Sequence, residues 1–250
     1  MRTIEIKPIS VEYIDHMGDD KRVANVARVS FAKWDEEEFN EKDANLLAYL
    51  ATGLPSAERN NWEALAKAHT HWTPFAHCFL SIRVQVPFFL ARQLHKHVIG
   101  LVINEESRRY IKSDVAIWLP DIIHKAPEHA KQGASNEKHD SQVWVGCDEA
   151  GDIYSDSLSA IMDSSSASVE TYYRLLGAGV APEEARMVLP LNAMTTWIWS
   201  GSLLAFNRVY QLRADGHAQN AAQEFAHKLG EILYKHFPES MKALNYGKEN

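Results

Sequence analysis

Basic side chains are concentrated between residues 92 and 112 of a chain that is acidic as a whole. Across 250 residues, 26 Lys and Arg are outnumbered by 33 Asp and Glu, which gives a formal net charge of −7. The segment 92–112 instead has a local charge of +3, from the basic residues Arg92, Lys96, Arg108, Arg109 and Lys112 and the acidic residues Glu105 and Glu106. Guanidinium and ammonium groups bind phosphates and carboxylates. We therefore expect an anionic ligand here, with a solvated polar loop as the alternative.

Two further places hold polar groups that packing does not require. Arg186 stands alone in an apolar helical segment, where an arginine either pairs with an acid or binds an anion. Arg213 and His217 lie between two apolar helical patterns, and Asp215 between them is interpreted as a helix N-cap. Neither Arg213 nor His217 has a comparable structural role, so both are candidate site residues.

Histidine, cysteine and serine patterns indicate neither a metal site nor a nucleophile. The potential metal ligands within residues 69–97 match no zinc motif in their spacing: His69, His71, His77, Cys78, His95 and His97. We interpret most of them as hydrogen-bonded structural residues and predict no metal. Ser107 is not in a Gly-x-Ser-x-Gly turn, and the chain has neither a Walker loop nor a GxGxxG motif. The two cysteines, Cys78 and Cys147, exclude a disulfide framework.

The overall composition is that of an ordinary globular protein, with 46% hydrophobic and 24% charged residues. The negative net charge argues against nucleic acid as a partner. No apolar run reaches the roughly 18 residues of a membrane-spanning helix, and the first residues lack the apolar core of a signal peptide. We therefore expect a cytoplasmic protein without a membrane partner.

A predicted strand and a predicted helix position the basic segment. Apolar and polar side chains alternate over residues 80–86, which is the period of a half-buried strand. A helix is predicted over residues 87–97, because the proline at its start suits the first helical position. Gln93, Lys96 and His97 would share one face of this helix, since they are three and four residues apart.

The remaining patterns predict mainly helices. Strands are expected over residues 4–14 and 195–199. Helical patterns cover residues 20–27, 42–51, 57–69, 167–176, 182–188, 203–212 and 218–236. Residues 124–165, rich in Lys, Glu, Gly, Asp and Ser, predict a surface insertion with one strand-like island at 142–145. We expect a single domain over residues 1–250.

Five segments, taken in order, resemble the flavin-dependent thymidylate synthase family. They are Ala27–Phe31, His71–His77, Ala91–Gln93 with Asn104–Tyr110, Glu184–Asn192 and Leu212–Gln219. The second resembles the family's His-x-Thr-Pro-Phe-x-His segment, and the third resembles its signature region. One such segment would be weak support, whereas five in the family's order span most of the chain.

This resemblance implies a fold, an assembly and a reaction. The fold is α+β, with a central, mostly antiparallel sheet flanked by helices, in a homotetramer whose active sites are shared between subunits. The reaction is the reductive methylation of dUMP at C5 to dTMP, with methylenetetrahydrofolate as the carbon donor and FAD and NADPH as the reductant. It requires neither a cysteine nucleophile nor a metal, because reduced flavin supplies the hydride.

The resemblance also assigns roles to residues. Those implied to bind dUMP are Gln93, Lys96, Glu105, Ser107, Arg108, Arg109, Arg186 and Arg213. Those implied to bind FAD are Thr73, Lys96, His97, Glu105, Arg208 and His217. Arg213 is also the implied catalytic residue, because its charge would stabilise negative charge on the pyrimidine as C5 becomes nucleophilic.

The signature segment of this chain departs from the family's Arg-His-Arg. Lys96-His97-Val98 stands in its place, followed by eight rather than seven residues before Ser107. We expect Gly100, which tolerates backbone angles that other residues avoid, to end the helix and absorb the extra residue, with Val98 packed away from the ligand. In the alternative, the helix slips by one residue and His97 takes the position of the first arginine.

A second departure concerns Ser202 and Arg208, which occupy positions where the family commonly has asparagines at the flavin. Two alternatives to thymidylate synthesis therefore stay open. One is a related flavin-dependent C5 modification of another pyrimidine nucleotide, such as dCMP, or a hydroxymethylation. The other is a non-catalytic nucleotide-binding homologue.

Overall fold

The structure, a computed structural model, describes residues 4–111, 114–127, 135 and 137–247. Its strands are β1 (Glu5–Ile6), β2 (Ser10–Met17), β3 (Phe79–Pro87), β4 (Leu101–Glu105), β5 (Ala116–Ile117), β6 (Val143–Asp148), β7 (Gly151–Ser155) and β8 (Met194–Ser202). Its helices are α1 (Asp20–Val29), α2 (Glu41–Thr52), α3 (Trp62–Lys67), α4 (Phe88–Leu94), α5 (Ser157–Gly177), α6 (Pro182–Ala185), α7 (Leu203–Ala214), α8 (Asn220–His236) and α9 (Pro238–Leu244). The implied α+β class is confirmed.

The central sheet of the described chain is antiparallel, with the strand order β2-β3-β8-β4. In β3, the apolar residues from Leu80 to Val86 are buried at every second position. This is the pattern that the sequence predicted, because alternate side chains of a strand point to opposite faces. β3 lies between β2 and β8, and α4 follows it directly.

β8 supplies the largest buried side chains of the sheet. Trp197 and Trp199 are fully buried and meet edge to face, with ring centroids 6.0 Å apart. The predicted strand at 195–199 is the middle of this longer strand. Near its end, Gly201 lies so close to the carbonyl oxygen of Gly100 that a Cβ would collide with it. The glycine therefore permits the turn before β4 to pack against β8.

The strand β4 is a correction to the sequence analysis, which predicted a helix up to Gly100 and an irregular polar run after it. Residues 101–105 pair antiparallel with residues 197–201 of β8. Leu101 and Ile103 are half-buried, whereas Val102 between them is exposed. This short alternation was the strand signal.

Two helices begin at caps that the sequence analysis did not use. The side chain of Asn61 accepts hydrogen bonds from the N–H groups of the first turn of α3, so the helix predicted over 57–69 is shorter. The side chain of Asp156 does the same for α5, which begins ten residues before the predicted start at 167. The predicted helices 203–212 and 218–236 are observed as α7 and α8, and the side chain of Ser202 caps α7.

Part of the segment 124–165 is regular structure. Its residues 128–134 and 136 lie outside the described residues. The predicted strand-like island at 142–145 overlaps β6, which forms an antiparallel hairpin with β7. Because α5 starts at Ser157, the end of the segment is helical rather than a surface loop. The assignment of a surface insertion in one domain stays a prediction.

Two clusters of buried side chains hold the candidate site residues in place. The larger joins the central sheet to α1, α2, α4, α7 and α8. The smaller surrounds β5, α5 and α6 and consists of Val115, Ile117, Val169, Tyr172, Ala185 and Ala193. It fixes Ala185, so that the next residue, Arg186, is held at an exposed position. Within the described ranges, no helix is long and apolar enough to cross a membrane.

Candidate active site

Helix α4 carries the first predicted site residue and is fixed at both ends. Pro87 precedes its first residue, where the missing N–H leaves no hydrogen bond unmade. The N–H of Phe88 donates to the carbonyl of Ala193, 2.9 Å away. In the last turn, Gln93 Nε2 donates to Gln219 Oε1 at 2.6 Å. Gln93 is therefore held against the segment that leads into α8.

The chain leaves α4 at Leu94, earlier than predicted, and turns toward β4. The N–H of His97 donates to the carbonyl of Leu94 at 3.0 Å, which closes the turn. Gly100 has a φ of +76°, the left-handed conformation expected of the residue that absorbs the extra position. Val98 is 66% exposed, so the prediction that it packs is wrong for this chain. It lies in the turn itself, because the helix does not extend to it, and Lys96 is exposed nearby.

The turn brings His97 to Arg213, which lies in the last turn of α7. Nε and Nη2 of Arg213 lie 3.2 and 3.0 Å from Nε2 of His97. A guanidinium only donates hydrogen bonds, so the imidazole nitrogen is the acceptor. Burial, and then the charge of Arg213, lower the pKa of His97 below its ordinary value. Among the residues that the structure describes, no carboxylate forms an ion pair with Arg213.

A small cavity of about 120 Å³ gathers three of the residues implied to bind dUMP: Glu105, Arg108 and Arg186. Thr195 Oγ1 donates to Glu105 Oε1 at 2.7 Å and so fixes this carboxylate at the end of β4. Arg108 is only 8% exposed, whereas Arg186 is exposed and donates to the carbonyl of Glu183 at 3.2 Å. Gln93, His97 and Arg213 do not line this cavity.

The residues after β4 form a compact turn beside the small cavity. Ser107 Oγ accepts from the backbone N–H and Nε of Arg109, at 3.4 and 3.3 Å. The guanidinium of Arg109 lies over the Tyr110 ring, 5.0 Å from its centroid. Burial raises the pKa of Glu106, although the charge of Arg108 opposes that shift. Lys112, which completes the predicted basic segment, lies outside the described residues.

A larger cavity, of about 1010 Å³, lies between residues 26–31, residues 70–77 and α2. The first two segments are those that resemble the family's N-terminal motifs. Thr73, implied at the flavin, lines this cavity. Tyr49 and His71 are stacked with centroids 5.9 Å apart, and Arg208 lies over the Trp72 ring at 5.8 Å. Aromatic faces beside polar edges suit a planar ring system with polar substituents.

Ion pairs within the described chain hold one wall of the larger cavity. Arg28 on α1 lines it and forms an ion pair with Asp43, whose side chain is completely buried. Lys21 Nζ also reaches Asp43, at 3.0 Å, and Asp35, at 2.8 Å. Burial would raise the pKa of Asp43, but hydrogen bonds from Lys21 and Arg28 outweigh it and lower that pKa. The cluster fixes α1 against α2.

Asp215 differs from the sequence interpretation, which made it a helix N-cap. Asp215 ends α7 instead of capping α8, and its Oδ1 accepts from the backbone N–H of His217 at 2.8 Å. The His217 ring lies 3.0 Å from the same oxygen, and its side chain is 93% exposed. His217 therefore lies at the surface of this chain, and its implied role at the flavin stays a prediction.

Cys78, His95 and Cys147 take structural or surface positions. Burial raises the pKa of Cys78 to about 12, and its Sγ lies 3.4 Å from the carbonyl oxygen of Asp19. His95 packs against the Trp197 ring, with centroids 4.6 Å apart. Cys147 is exposed in β6. No group of three His, Cys, Asp or Glu residues that could hold a metal occurs in the described ranges.

The sequence analysis did not single out several residues that shape these cavities. Gln219 is the last residue of the family-like segment Leu212–Gln219. Its hydrogen bond to Gln93 joins residues 126 positions apart. Beside Gln219 lies another cavity, of about 680 Å³, whose wall includes Trp118 and Glu224. Asp43 had a visible signal in its spacing from Asn40, since the two form a capping box. Trp72 belongs to the family-like segment His71–His77 and was not a predicted site residue.

Comparison with known proteins shows the family and the fold of this chain. The family model described as thymidylate synthase complementing protein matches residues 12–239. The flavin-dependent thymidylate synthase of Thermosipho melanesiensis is 34% identical over 236 residues, covering 93% of this chain and 90% of the relative. That of Thermosipho africanus is 32% identical over 230 residues, covering 92% and 88%. A solved UMP/dUMP methylase, PolB from Streptomyces cacaoi, has a TM-score of 0.73 at 23% identity, covering 97% of each chain.

The arginine-rich turn after the α+β sheet and the neighbouring cavities are suited to binding an anionic ligand. The chain belongs to the flavin-dependent thymidylate synthase family, whose members are methyltransferases. The predicted family and the prediction of an enzyme are both confirmed.

Proposed function

We propose that this protein methylates dUMP at C5 to give dTMP, with methylenetetrahydrofolate as carbon donor and FAD and NADPH as reductant. The observation that carries the proposal is the state of Arg213. Its guanidinium is half-buried and contacts a neutral imidazole, so its positive charge is not cancelled by that partner. A half-buried, uncancelled charge can stabilise an anion that develops on a bound ring.

The phosphate of dUMP would bind at the arginines around the end of β4. Arg108 and Arg186 face the small cavity, and Arg109 lies one residue farther along the turn. Arginine is suited to phosphate, because its planar fork makes paired hydrogen bonds. Ser107 orients Arg109 through its hydroxyl. Lys96, which is exposed in the turn before β4, is also implied by the family to bind dUMP and would add a further cation.

The pyrimidine would lie against Gln93, Glu105 and Arg213. Gln93 is fixed by Gln219 and Glu105 by Thr195, so both present defined polar edges. As C5 becomes nucleophilic, negative charge spreads over the ring oxygens. Arg213 would stabilise that charge by roughly 3 kcal/mol, which is about a hundredfold in rate. Neither cysteine lines the cavities described above, so no role in activating C5 is assigned to a thiol.

The residues of the larger cavity fit FAD. Within the cavity, Thr73 offers a hydroxyl and Trp72 an aromatic face, and Arg208 brings a cation over the Trp72 ring. His97, Lys96, Glu105 and His217, which do not line this cavity, complete the set implied by the family. When bound, the reduced flavin supplies the hydride needed to convert the transferred carbon into a methyl group. Trp72 and Tyr49 would bind planar rings by stacking and exclude water from them.

A homotetramer with shared sites would join residues that one chain keeps in separate groups. Arg186 lines the small cavity, whereas Arg213 does not. Val98, Ile99 and Val102 are exposed at the turn and on β4, next to these groups. Apolar residues at such a position support a subunit contact there. We further propose that the protein acts in the cytoplasm.

Product analysis tests the proposed reaction. The purified protein is incubated with FAD, NADPH and methylenetetrahydrofolate and with dUMP, UMP or dCMP, and the nucleotides are identified by mass spectrometry. The proposal predicts dTMP from dUMP as the main product, and flavin absorbance bands in the protein after gel filtration. A protein that binds no flavin and leaves dUMP unchanged would contradict it.

A second candidate is the corresponding reaction on UMP. It is favoured by one observation, the fold similarity to a protein whose solved structures carry 5-Br dUMP and 5-Br UMP. A methylated ribonucleotide as the main product would support this candidate, and a hydroxymethylated product would indicate a different one-carbon outcome. Nucleotide binding without flavin reduction would indicate a non-catalytic homologue.

A further inference from the structure

The contact between His97 and Arg213 determines how the guanidinium is held. Both Nε and Nη2 of Arg213 reach the single nitrogen Nε2 of His97. Because that nitrogen accepts, the imidazole is neutral and its proton is on Nδ1. A guanidinium has five N–H donors, so those on Nη1 and one on Nη2 remain for a ligand.

The turn that carries His97 is fixed relative to α7. At one end, the N–H of His97 donates to the carbonyl of Leu94 at 3.0 Å. At the other end, the carbonyl of Gly100 accepts from the N–H of Ser202 at 3.1 Å. A Cβ on Gly100 would be 3.2 Å from the Ala205 side chain, which shows how closely the turn packs against the start of α7. α7 also carries Arg213, so the accepting nitrogen of His97 and the donating guanidinium of Arg213 are both held by this helix.

A neutral acceptor has a different electrical effect from a carboxylate. A carboxylate would orient the guanidinium but would also cancel its charge. The imidazole orients it through two hydrogen bonds and leaves the full positive charge. Burial lowers the pKa of Arg213, yet a guanidinium stays protonated in proteins. The pair thus combines a fixed geometry with an uncancelled cation.

We propose that His97 is a positioning residue for Arg213, which it holds by accepting two hydrogen bonds at Nε2 while leaving the guanidinium charge available to the pyrimidine. The effect on turnover rests on the proposed function, whereas the contact and the tautomer do not.

Acid disrupts this arrangement. Protonation of His97 removes the acceptor and places two cations 3.0 Å apart. Of the described groups, Arg213 on α7 is the charged residue that shifts the pKa of His97, and Lys96 precedes it in the turn. Burial and the positive charge of Arg213 both favour the neutral imidazole. The contact is therefore present at neutral pH and is lost as the pH falls below the ordinary histidine value of 6.5.

Nitrogen NMR of the protein without ligands tests the contact independently of any activity. Histidine ring nitrogens are labelled and titrated in the wild type and in Arg213→Ala. The expected result is a His97 ring with its proton on Nδ1 at neutral pH, and a pKa that rises when Arg213 is removed. A proton on Nε2, or a pKa that Arg213→Ala does not move, would overturn the proposal.

Kinetics of two substitutions test the role in turnover. His97→Leu removes the acceptor and should lower kcat for dUMP ten- to hundredfold, with a smaller change in KM. His97→Gln offers an amide oxygen and should restore most of kcat but lose the fall in kcat toward acidic pH. His236→Gln is the matched control, because burial also lowers the pKa of His236, which packs on Tyr13 of β2. Equal kcat values and unchanged pH profiles in all three folded variants would contradict the positioning role, whereas an inactive wild type would contradict only the proposed function.

Discussion

Arg28 and Arg213 are both half-buried, but they have opposite kinds of partner. Arg28, between α1 and α2, pairs with the buried carboxylate of Asp43 and lies 3.5 Å from Asp35. Arg213, at the end of α7, contacts the neutral ring of His97. The first region uses an arginine to join two helices. The second keeps an arginine oriented while its charge stays uncancelled.

The kind of partner distinguishes a structural arginine from a functional one more clearly than charge or burial alone. A buried carboxylate with cationic partners stabilises the fold only while the whole set is present. An arginine with a neutral partner contributes less to the stability of the fold, and its charge is available to a ligand. Substitutions in the first region should therefore change stability, and substitutions in the second should change catalysis.

The largest effect is expected from Asp43→Ala, which leaves Lys21 and Arg28 without their buried partner. Loss of one member of a buried ion pair costs roughly 3 kcal/mol of unfolding free energy, measurable by urea denaturation. Because the pKa of Asp43 is lowered in the folded protein, its contribution is present above the ordinary value of 3.8 and is lost as the pH falls below that value. Asp35→Ala is the matched control with a smaller expected loss, since that side chain is 29% exposed. An equal loss in both variants would contradict the assignment.

Arg213→Ala should show the reverse pattern. We expect kcat for dUMP to fall about a hundredfold, because the charge on the reacting ring loses its partner. The melting temperature should stay close to that of the wild type, since no carboxylate in the described chain is left unpaired. The kcat of Arg213→Lys, which keeps the charge but not the planar fork of the guanidinium, should lie between those of the wild type and Arg213→Ala. A large drop in melting temperature with kcat retained would make Arg213 a second structural arginine.

Arg186→Ala should mainly weaken nucleotide binding. A phosphate contact is equally strong before and during the reaction, so KM should rise about tenfold while kcat changes little. Steady-state kinetics with dUMP measures both constants. A fall in kcat at constant KM would instead place Arg186 at the reacting ring.

The smallest effect is expected from Arg83→Ala, on the exposed face of β3. Arg83 pairs with Glu12 on β2, and both side chains are about half exposed, at 53% and 52%. Such an ion pair contributes less than about 1 kcal/mol, and activity should be unchanged. Thermal unfolding and the dUMP assay check both points. A loss comparable to that in Asp43→Ala would remove the distinction between buried and exposed pairs.

Local patterns predicted the elements whose burial follows a regular period. β3 and α8 were predicted because their buried residues repeat at strand or helix spacing. α7 was also predicted, although its first five residues are buried in succession. The end of α4 at Leu94 was not predicted, because no residue in 94–97 is incompatible with a helix. The chain turns there since β4 pairs with β8, a contact between distant segments.

Local sequence patterns were limited in the same way at the candidate site. The basic segment and the family-like motifs identified most of the residues around the cavities. The bonds from Gln93 to Gln219 and from Arg213 to His97 join residues 126 and 116 positions apart, which no local spacing reveals. His217 is exposed in the single chain, and its implied role at the flavin stays a prediction.

Release of the uracil C5 hydrogen tests the central claim most directly. Wild-type protein, FAD, NADPH and methylenetetrahydrofolate are mixed with dUMP that carries tritium at C5, and the tritium that enters water is counted beside the dTMP formed. The account predicts one C5 hydrogen released for each dTMP, with loss of release when the folate is omitted. No release above the protein-free control, or dUMP consumed with its C5 hydrogen retained, would contradict it.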